Sequence, residues 1–501
     1  MRRRALIRAA AGAPLLGVAA GCGRRAPAAD TLRFAIATEP RNLDPRLATD
    51  AVSERVNRLL YARLVAFDAA SRPIPGIADV EQRSPTHWRF RLRDHIAPFS
   101  DGTPVRAADV AATYASVLDP ATASHHRAVL SVIDRLVVRD ERTLDVHLKA
   151  PEPLFAYHLG IGILPARLVE AGHGFQRAPV GSGPLRLACW PEPGRLALTR
   201  RRDGQALELV TVKDPNVRVM KLLRGEAQLL QNDLPPELVD YLRARPEVQV
   251  ARAPGVNFSY LGLNLADPAT GQPEVRRAIA HAIDRAAILR WLFRGNGRLA
   301  EALFPPEHWA GAADLTPYAH NPARARALLA QAGYGPGRPL RLSCKTSSDP
   351  FRVRLATVIQ AQLGEVGIEV RVQSYDWGTF FGDVKAGRFQ LYSLTWVGIR
   401  SPDIFRYAFH SSAMPPAGAN RGRYLSPAAD RLIDAAAAEP DPQRQAALYR
   451  SLQHLLHLDL PYVPLWFEDQ VLAARLGVTG YRLAPDGQYD GLEDVTLSAR
   501  A

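Results

Sequence analysis

One stretch, from Gly255 to Gly295, constrains the fold of this chain more than any other. Its first part, Val256 to Leu265, alternates small or polar residues with bulky ones and leads into an Asp-Pro turn, which predicts a buried strand. Apolar residues then recur at spacings of three and four from Val275 to Phe293, which predicts one helix with its arginines on the opposite face. Pro273 at the start and Gly295 past the end fit that helix. A strand that turns into an amphipathic helix indicates an α/β protein.

This stretch resembles the hinge crossing of the peptide and nickel class of ABC-importer solute-binding proteins. The matching positions are Tyr260-Leu261, Asn264, Val275-Arg276, Ala278 and Ala282 to Arg285. Further segments resemble that family's motifs and occur in its order: Thr38 to Pro45, His87 to Arg93, Phe99 to Val110, Val180 to Leu187, Asn321 to Tyr334, and Tyr424 to Ile433. The resemblance therefore covers the chain from Thr31 to the C-terminal region.

The resemblance implies an α/β fold with two lobes, the type II, cluster C periplasmic-binding-protein fold, with an extra domain inserted in the first lobe. The expected divisions are a signal peptide at 1–21, a tether at 22–30, a lobe I core at 31–65, 181–262 and 467–501, an inserted domain at 66–180, and lobe II at 263–466.

The N-terminus has the pattern of an export signal. Four arginines precede residue 9, and Ala9 to Gly21 is an apolar run too short to span a bilayer. Ala19 to Cys22 resembles a bacterial lipobox, in which Cys22 would be lipidated; a plain signal peptide cut nearby is the alternative. Arg3 to Arg8 also resembles a twin-arginine signal. We expect a lipid-anchored protein in the periplasm or on the outer face of the cell membrane.

Charge and motif content argue against several other functions. The net charge of +13 comes from 63 basic and 50 acidic residues, but the arginines are scattered and form no stripe for nucleic acid. No H-E-x-x-H or G-x-S-x-G motif and no clustered His/Cys appear, and exposure on a loop or helix edge explains His125-His126. Turn and helix-start roles explain Asp101 and Asp109. We therefore predict no enzyme activity, no cofactor and no metal site.

By position, the family's ligand pocket corresponds to segments from the start of the first helix, the hinge strand, and the strands and loops of the second lobe. The predicted ligand-binding residues are Thr49, Asp50, Ala51, Asn257, Tyr260, Trp377, Ser393, Thr395, Trp396, Val397, Gly398, Ile399, Arg400, Asp403, Trp466 and Phe467. Tyr260, Trp377 and Trp396 would give flat apolar walls with polar tips, suited to a bulky ligand. Core packing is the alternative for each aromatic residue.

Ile399 departs from the family pattern. Peptide-binding members usually carry W-x-x-D at Trp396 to Ile399, and the aspartate pairs with the peptide's α-ammonium group. An apolar residue cannot pair that cation, and leaving it desolvated and unpaired would cost several kcal/mol. Either Asp403 or Asp50 replaces the aspartate, or the ligand is not an ordinary peptide. Arg400 would then suit a carboxylate, sulfate or phosphate group.

The resemblance thus implies a monomeric receptor that captures a peptide or peptide-like ligand between two lobes. It would deliver this ligand to the permease and ATPase complex of an ABC importer. Two alternatives remain open: a receptor for a non-peptide anionic solute, and a chaperone or signalling receptor built on the same fold.

Overall fold

A computed structural model describes residues 31–68 and 70–498, so the predicted signal peptide, tether and Cys22 lie outside the described residues. The strands are β1 (Leu32–Ile36), β2 (Val65–Phe67), β3 (Pro73–Pro75), β4 (Ala78–Ser84), β5 (His87–Leu92), β6 (Ile133–Val138), β7 (Thr143–Leu148), β8 (Leu185–Glu192), β9 (Arg195–Arg200), β10 (Ala206–Thr211), β11 (Leu229–Gln231), β12 (Val248–Leu263), β13 (Gly297–Leu299), β14 (Leu340–Ser347), β15 (Ile368–Tyr375), β16 (Leu391–Trp396), β17 (Tyr462–Arg475), β18 (Val478–Thr479) and β19 (Thr496–Leu497).

The helices are α1 (Ala51–Leu60), α2 (Ala107–Leu118), α3 (Arg127–Leu130), α4 (Ala166–Glu170), α5 (Pro215–Leu223), α6 (Pro236–Arg243), α7 (Pro273–Ala282), α8 (Arg285–Ala287), α9 (Pro322–Gln331), α10 (Pro350–Glu365), α11 (Trp377–Ala386), α12 (Asp403–Phe409), α13 (Pro427–Ala438) and α14 (Pro442–Asp459). Within the described ranges, none of them combines the length and the apolar character that crossing a membrane requires.

One continuous sheet runs through the molecule in the order β15-β14-β16-β12-β17-β11-β1-β10-β9-β8. The long strands β12 and β17 lie at its centre and pair antiparallel along most of their length. Strands on one side of this pair, with α1, α5 and α6, form lobe I; strands β14 to β16, with α7 to α14, form lobe II. The two lobes therefore share a hinge made of two long strands.

The pairing of β12 with β17 is interrupted between Ala253 and Asn257. Gly255 lies in this interruption, and a Cβ atom there would stand 2.0 Å from the carbonyl oxygen of Glu468. Only glycine allows β17 to approach this closely. The irregularity separates the part of β12 that belongs to lobe I from the part that belongs to lobe II.

A separate antiparallel sheet, β4-β5-β7-β6, lies in sequence between elements of lobe I. It has its own hydrophobic core, in which Trp88, Phe90, Tyr114 and Phe155 are buried. The alternation in the segment His87 to Arg93 thus reflects one buried face of β5. The boundaries of the inserted domain, 66–180, remain a prediction.

The segment predicted as one helix from Val275 to Phe293 is broken. Helix α7 ends at Ala282, Ile283 is extended, and Asp284 accepts a hydrogen bond from the backbone N–H of Ala287 to start α8; a π-helical turn follows. The arginines predicted on the face opposite the apolar residues are not all exposed. Arg285 is buried and donates to the carbonyl oxygens of Ala300 and Pro464.

The prediction of a parallel βαβ unit after residue 340 is confirmed. Strand β14 leads through α10 into β15, and the two strands pair in parallel from Leu340 opposite Ile368 to Ser347 opposite Tyr375. Strand β16 then pairs in parallel with the other edge of β14. These strands all end at the same edge of lobe II.

Candidate functional site

A cavity of about 670 Å³ lies between the lobes, beside the hinge strands. Its volume is in the range of small-molecule sites in proteins. Four of the predicted ligand-binding residues line it: Ala51 from lobe I, Asn257 from β12, and Thr395 and Val397 from lobe II. Both lobes and the hinge therefore contribute to its walls.

The cavity lies where the carboxyl ends of parallel strands from the two lobes face each other. In lobe I, β1 pairs in parallel with β10 and β11, and Thr38, Lys213 and Asn232 follow these strands. In lobe II, Arg352 follows β14 and Val397 follows β16. Ligands of α/β proteins commonly bind at this edge, because backbone and side-chain groups converge there.

Charged side chains of both signs line the cavity. They are Arg55, Lys213, Arg218 and Arg352 on the basic side and Asp233, Asp349, Glu468 and Asp469 on the acidic side. The cavity therefore presents charges of both signs to a ligand, although Arg352 and Glu468 pair with each other.

Asp233 stands at a strained turn on the lobe I wall. Both Asn232 and Asp233 have a left-handed backbone, with φ of 57° and 52°, which is unfavourable for residues other than glycine. Hydrogen bonds hold this turn: the Asn232 amide donates to Gln470 at 2.6 Å, and the backbone N–H of Val471 donates to Asn232 at 2.9 Å. The guanidinium of Arg218 also donates to the carbonyl oxygen of Asp233.

The carboxylate of Asp233 is available to a ligand. In the part of the chain that the structure describes, no group donates a hydrogen bond to it, and the exposed residue lines the cavity. Desolvation there raises its pKa; the charges of Arg55 and Arg218 oppose this effect, and that of Glu468 adds to it. A cation that entered beside Asp233 and Glu468 would relieve their mutual repulsion.

A polar network joins the three central strands below the cavity. The hydroxyl of Ser259 on β12 lies 2.7 Å from that of Thr395 on β16 and donates to Glu468 on β17 at 2.8 Å. Arg352 approaches the same carboxylate oxygen at 3.3 Å. This network fixes the orientation of Glu468 from both sides of the hinge.

Arg400 lies in the loop after β16 and connects the lobes. Its guanidinium forms an ion pair with Asp486 of lobe I and lies over the ring of Phe67, 5.2 Å from the ring centroid. Burial, with the nearby charges of Arg58 and Arg63, lowers the pKa of Arg400 to about 9. The predicted anion-binding charge of Arg400 is therefore already compensated by the protein.

Asp403, at the start of α12, also meets the other lobe. A carboxylate oxygen of Asp403 lies 3.4 Å from Nε2 of His158, which follows the four-stranded sheet in sequence. Burial raises the pKa of Asp403, while the charges of His158 and Arg406 oppose that shift. The pKa of Glu152 is raised by burial, and the charge of Asp403 adds to this effect. Asp403 thus belongs to an acidic contact between lobes.

Asp50 has a structural role at the start of α1. Its carboxylate accepts hydrogen bonds from the backbone N–H of Ser53 at 2.9 Å and from the Ser53 hydroxyl at 2.6 Å, as a helix N-cap does. Thr49 precedes it and is exposed. The cap leaves Asp50 less available to a ligand cation than Asp233.

Glu54 lies one turn after Asp50 on α1. Its side chain is exposed to the space between the lobes. Protein groups nevertheless surround the carboxylate and keep water away from it, and this desolvation raises the pKa of Glu54 to about 7. The charge of Asp50 adds to the shift, and those of Arg63 and Arg400 oppose it. No sequence motif marks Glu54.

Three of the predicted aromatic contacts are buried in hydrophobic cores. Tyr260 is fully buried, stacks on Tyr462 at 4.0 Å, and its hydroxyl accepts a hydrogen bond from Arg421 at 3.4 Å. Trp466 and Phe467 are buried in the two cores of lobe II. A ligand contact by these three side chains stays a prediction.

The remaining predicted residues lie at the edge of lobe II. Trp377 is 58% exposed and stacks on Phe381 at 5.3 Å. Ser393 is half-buried on β16, and Trp396 packs beneath the guanidinium of Arg421. The backbone N–H of Gly398 donates to Asn257, whereas Ile399 packs against the aromatic core of lobe II. The side chain at position 399 is therefore held by apolar contacts.

Sequence reasoning missed Asp233, Glu468 and Arg352. A signal was present for Asp233, because Asn232-Asp233 directly follows the short apolar strand β11, and polar residues after parallel strands commonly bind ligands. Glu468 directly follows the predicted pair Trp466-Phe467 on β17.

A sheet that crosses between two lobes on two long strands, with a cavity enclosed between the lobes, defines a type II periplasmic binding protein. The predicted two-lobed α/β fold is thereby confirmed, and comparison with known proteins agrees with it. The sequence profile of the "Bacterial extracellular solute-binding proteins, family 5 Middle" matches residues 72–414. The chain belongs to this family, whose members are solute receptors, and it is therefore a receptor and not an enzyme.

Similar proteins cover nearly the whole chain. The probable di/tripeptide-binding protein 5 of Pseudomonas aeruginosa is 30% identical over 478 residues, which cover 86% of this chain and 89% of that protein. The structure of DppA from Helicobacter pylori in complex with the peptide STSA is 25% identical, with a TM-score of 0.77 over 93% of this chain and 98% of that one. AgaA from A. tumefaciens R10, in complex with agropinic acid, is 26% identical, with a TM-score of 0.75 over 93% and 99%.

Proposed function

We propose that this chain captures a peptide or peptide-like ligand between its two lobes outside the cytoplasm and delivers it, as a monomer, to the permease and ATPase of an ABC importer. Relatives named for dipeptides and tripeptides, and a similar structure that holds a peptide, support this proposal.

The observation that carries the proposal is the cavity beside the hinge, which has carboxylates and guanidinium groups on facing walls. A peptide with free ends has an ammonium group at one end and a carboxylate at the other. Both need a partner when they leave water, because a desolvated unpaired charge is costly. Side chains of both charges in the cavity lining could meet this need.

Asp233 is the best-placed partner for the ammonium group in place of the aspartate that Ile399 replaces. Its carboxylate accepts no hydrogen bond from the described residues and faces the cavity, whereas Asp50 caps α1 and Asp403 lies against His158. The alternative of an anionic non-peptide solute loses its main support, because Arg400 pairs with Asp486.

We also propose that the protein is exported and anchored to the membrane surface by a lipid. The pattern at Ala19 to Cys22 supports lipidation of Cys22 and attachment to the membrane surface. A Cys22→Ser variant should then move from the membrane fraction to the soluble extracytoplasmic fraction; unchanged fractionation would exclude the anchor.

Two measurements test the ligand class. Native mass spectrometry of the purified protein, followed by denaturation, should release a spread of peptide masses; one discrete non-peptide mass would overturn the proposal.

Calorimetric titration with tri-alanine should show binding, and N-acetylation or C-terminal amidation of this peptide should each weaken it about tenfold or more, since each removes one charged end. Equal binding of all three would contradict the role of the paired charges.

A further inference from the structure

A second group of chemically active side chains lies beside the cavity. Glu54 on α1 meets His125 and His126, which lie in the turn before α3, and their carboxylate oxygen and ring nitrogens all lie within 4.8 Å of one another. The two imidazole rings are 3.8 Å apart between centroids. The fold thus brings together two nitrogen donors and one oxygen donor from distant parts of the chain.

The local contacts of His126 suit a metal ligand. A ring nitrogen of His126 lies near the carbonyl oxygen of Pro45, and when that nitrogen carries the proton the other keeps its lone pair. Histidines that bind metals commonly donate their second ring N–H to a carbonyl or carboxylate in this way. The Ser124 hydroxyl donates to the carbonyl oxygen of Arg46 at 2.7 Å, which ties the same turn to the same loop.

We propose that Glu54, His125 and His126 bind one divalent transition-metal ion of the class that includes Zn²⁺, Ni²⁺ and Cu²⁺. Imidazole nitrogens are suitable ligands for these ions, and a carboxylate completes a three-residue set. Three protein ligands leave at least one coordination position for water or for a donor atom of a bound molecule.

The surroundings define what can fill that position. On α1, Ala51 and Arg55 line the cavity, and Glu54 lies on the adjacent stripe, within reach of the charges of Arg63 and Arg400. The charge of the ion itself favours an anionic donor such as a carboxylate at the open position. The metal site requires no assumption about the peptide and does not rest on the proposed function.

A second cluster with similar residues provides a matched control. His87, Asp145 and His147 also come within 4.8 Å of one another. However, Asp145 accepts hydrogen bonds from Arg89 and Arg139, each at 2.7 Å, so both of its carboxylate oxygens are occupied. This cluster is therefore not expected to bind the ion.

The test is calorimetric titration of the full chain, without a histidine tag, with Zn²⁺ and separately with Ni²⁺. One equivalent should bind, and His125→Ala should weaken the affinity about tenfold or more, with a smaller loss for Glu54→Gln. His147→Ala should leave the affinity unchanged. The electron paramagnetic resonance spectrum of the Cu²⁺-loaded protein should show nitrogen couplings that change in His125→Ala.

Several results would overturn the proposal: no saturable binding of either ion, equal affinity in His125→Ala, or loss of binding in His147→Ala. Thermal unfolding of each variant without metal verifies that it folds. Repeating the titrations with tri-alanine separates the two proposals, since loss of metal binding with intact peptide binding would remove the metal site alone.

Discussion

The two charged regions between the lobes differ in how their charges are satisfied. In the contact region, Arg400 of lobe II pairs with Asp486 of lobe I, and Asp403 lies beside His158. In the cavity beside the hinge, the carboxylate of Asp233 points into open space, and no described residue donates a hydrogen bond to it. The contacts of the first region connect the two lobes, whereas the Asp233 carboxylate of the second region remains available to a ligand.

The two regions therefore have different roles: the contact region affects closure of the lobes, and the cavity affects recognition of the ligand. Ion pairs between lobes stabilise the closed arrangement whatever the ligand is, whereas a carboxylate without a partner gains stability only when a cation arrives. A ligand shifts a two-state equilibrium only by its different affinity for the two states. The cavity should therefore determine which ligand binds, and the contact region should set how readily the lobes close.

The largest effect is expected from Asp233→Asn. The variant keeps the shape of the side chain but removes the charge, so affinity for tri-alanine should fall about 30-fold, which corresponds to about 2 kcal/mol. Binding of the N-acetylated peptide should hardly change, because that ligand lacks the ammonium group. Calorimetric titration of both peptides measures the difference.

Asp403→Asn is the matched control for this prediction. It removes a carboxylate of the contact region, and we expect a change in tri-alanine affinity below about threefold. Strong loss in Asp403→Asn with full binding in Asp233→Asn would place the ammonium partner in the contact region and reverse the comparison.

A smaller effect is expected from Asp486→Asn. The side chains of the Arg400–Asp486 pair are only 20% and 12% exposed, and without Asp486 the guanidinium would be left near Arg58 and Arg63. The lobes should then open, with a larger radius of gyration in X-ray scattering. Peptide affinity should fall about tenfold, or about 1.4 kcal/mol.

The pair Arg354–Glu237 gives the control for closure. It also joins the lobes, but its side chains are 47% and 49% exposed, and such exposed pairs contribute little. Glu237→Gln should therefore leave the radius of gyration and the peptide affinity unchanged. If both variants behaved alike, burial of the Arg400 pair would have no special role in closure.

The smallest effect concerns pH. Burial raises the pKa of Asp403 above 3.8, so the folded protein holds this proton more tightly than the unfolded chain. Its contribution to stability therefore falls as pH rises above that value. The melting temperature of the native protein minus that of Asp403→Asn should decrease from pH 3.5 to pH 7, by roughly one or two degrees. A constant difference would show that Asp403 is not desolvated.

Much of the fold could be predicted from sequence, because local patterns control it. The unit β14, α10 and β15 follows from two apolar runs around an amphipathic segment, and its parallel pairing follows from the helix between them. The break at Ile283-Asp284 could not be predicted in this way. The apolar spacing continues across it, while the buried contacts of Arg285 with Ala300 and Pro464 turn the chain.

The candidate site was predictable only in part. Asn257 and Thr395 line the cavity as their positions in the hinge region suggested. Tyr260 and Trp466 also lie on the hinge strands, but their side chains are buried in hydrophobic cores. The alternating pattern of a strand predicts a buried face, but it does not show whether that face lines the core or the ligand cleft. Asp233 was missed, since its role depends on a strained turn that distant groups hold in place.

By itself, the sequence determined the order of most strands and helices, the family, and the export pattern before residue 23, because each depends on residues close together in the chain. Only the tertiary structure decided that Arg400 meets Asp486, that Glu54 meets His125 and His126, and that Asp233 faces the cavity. The physical reason is that pairing and desolvation depend on distances across the cleft, and folding sets these distances between segments that no local pattern connects.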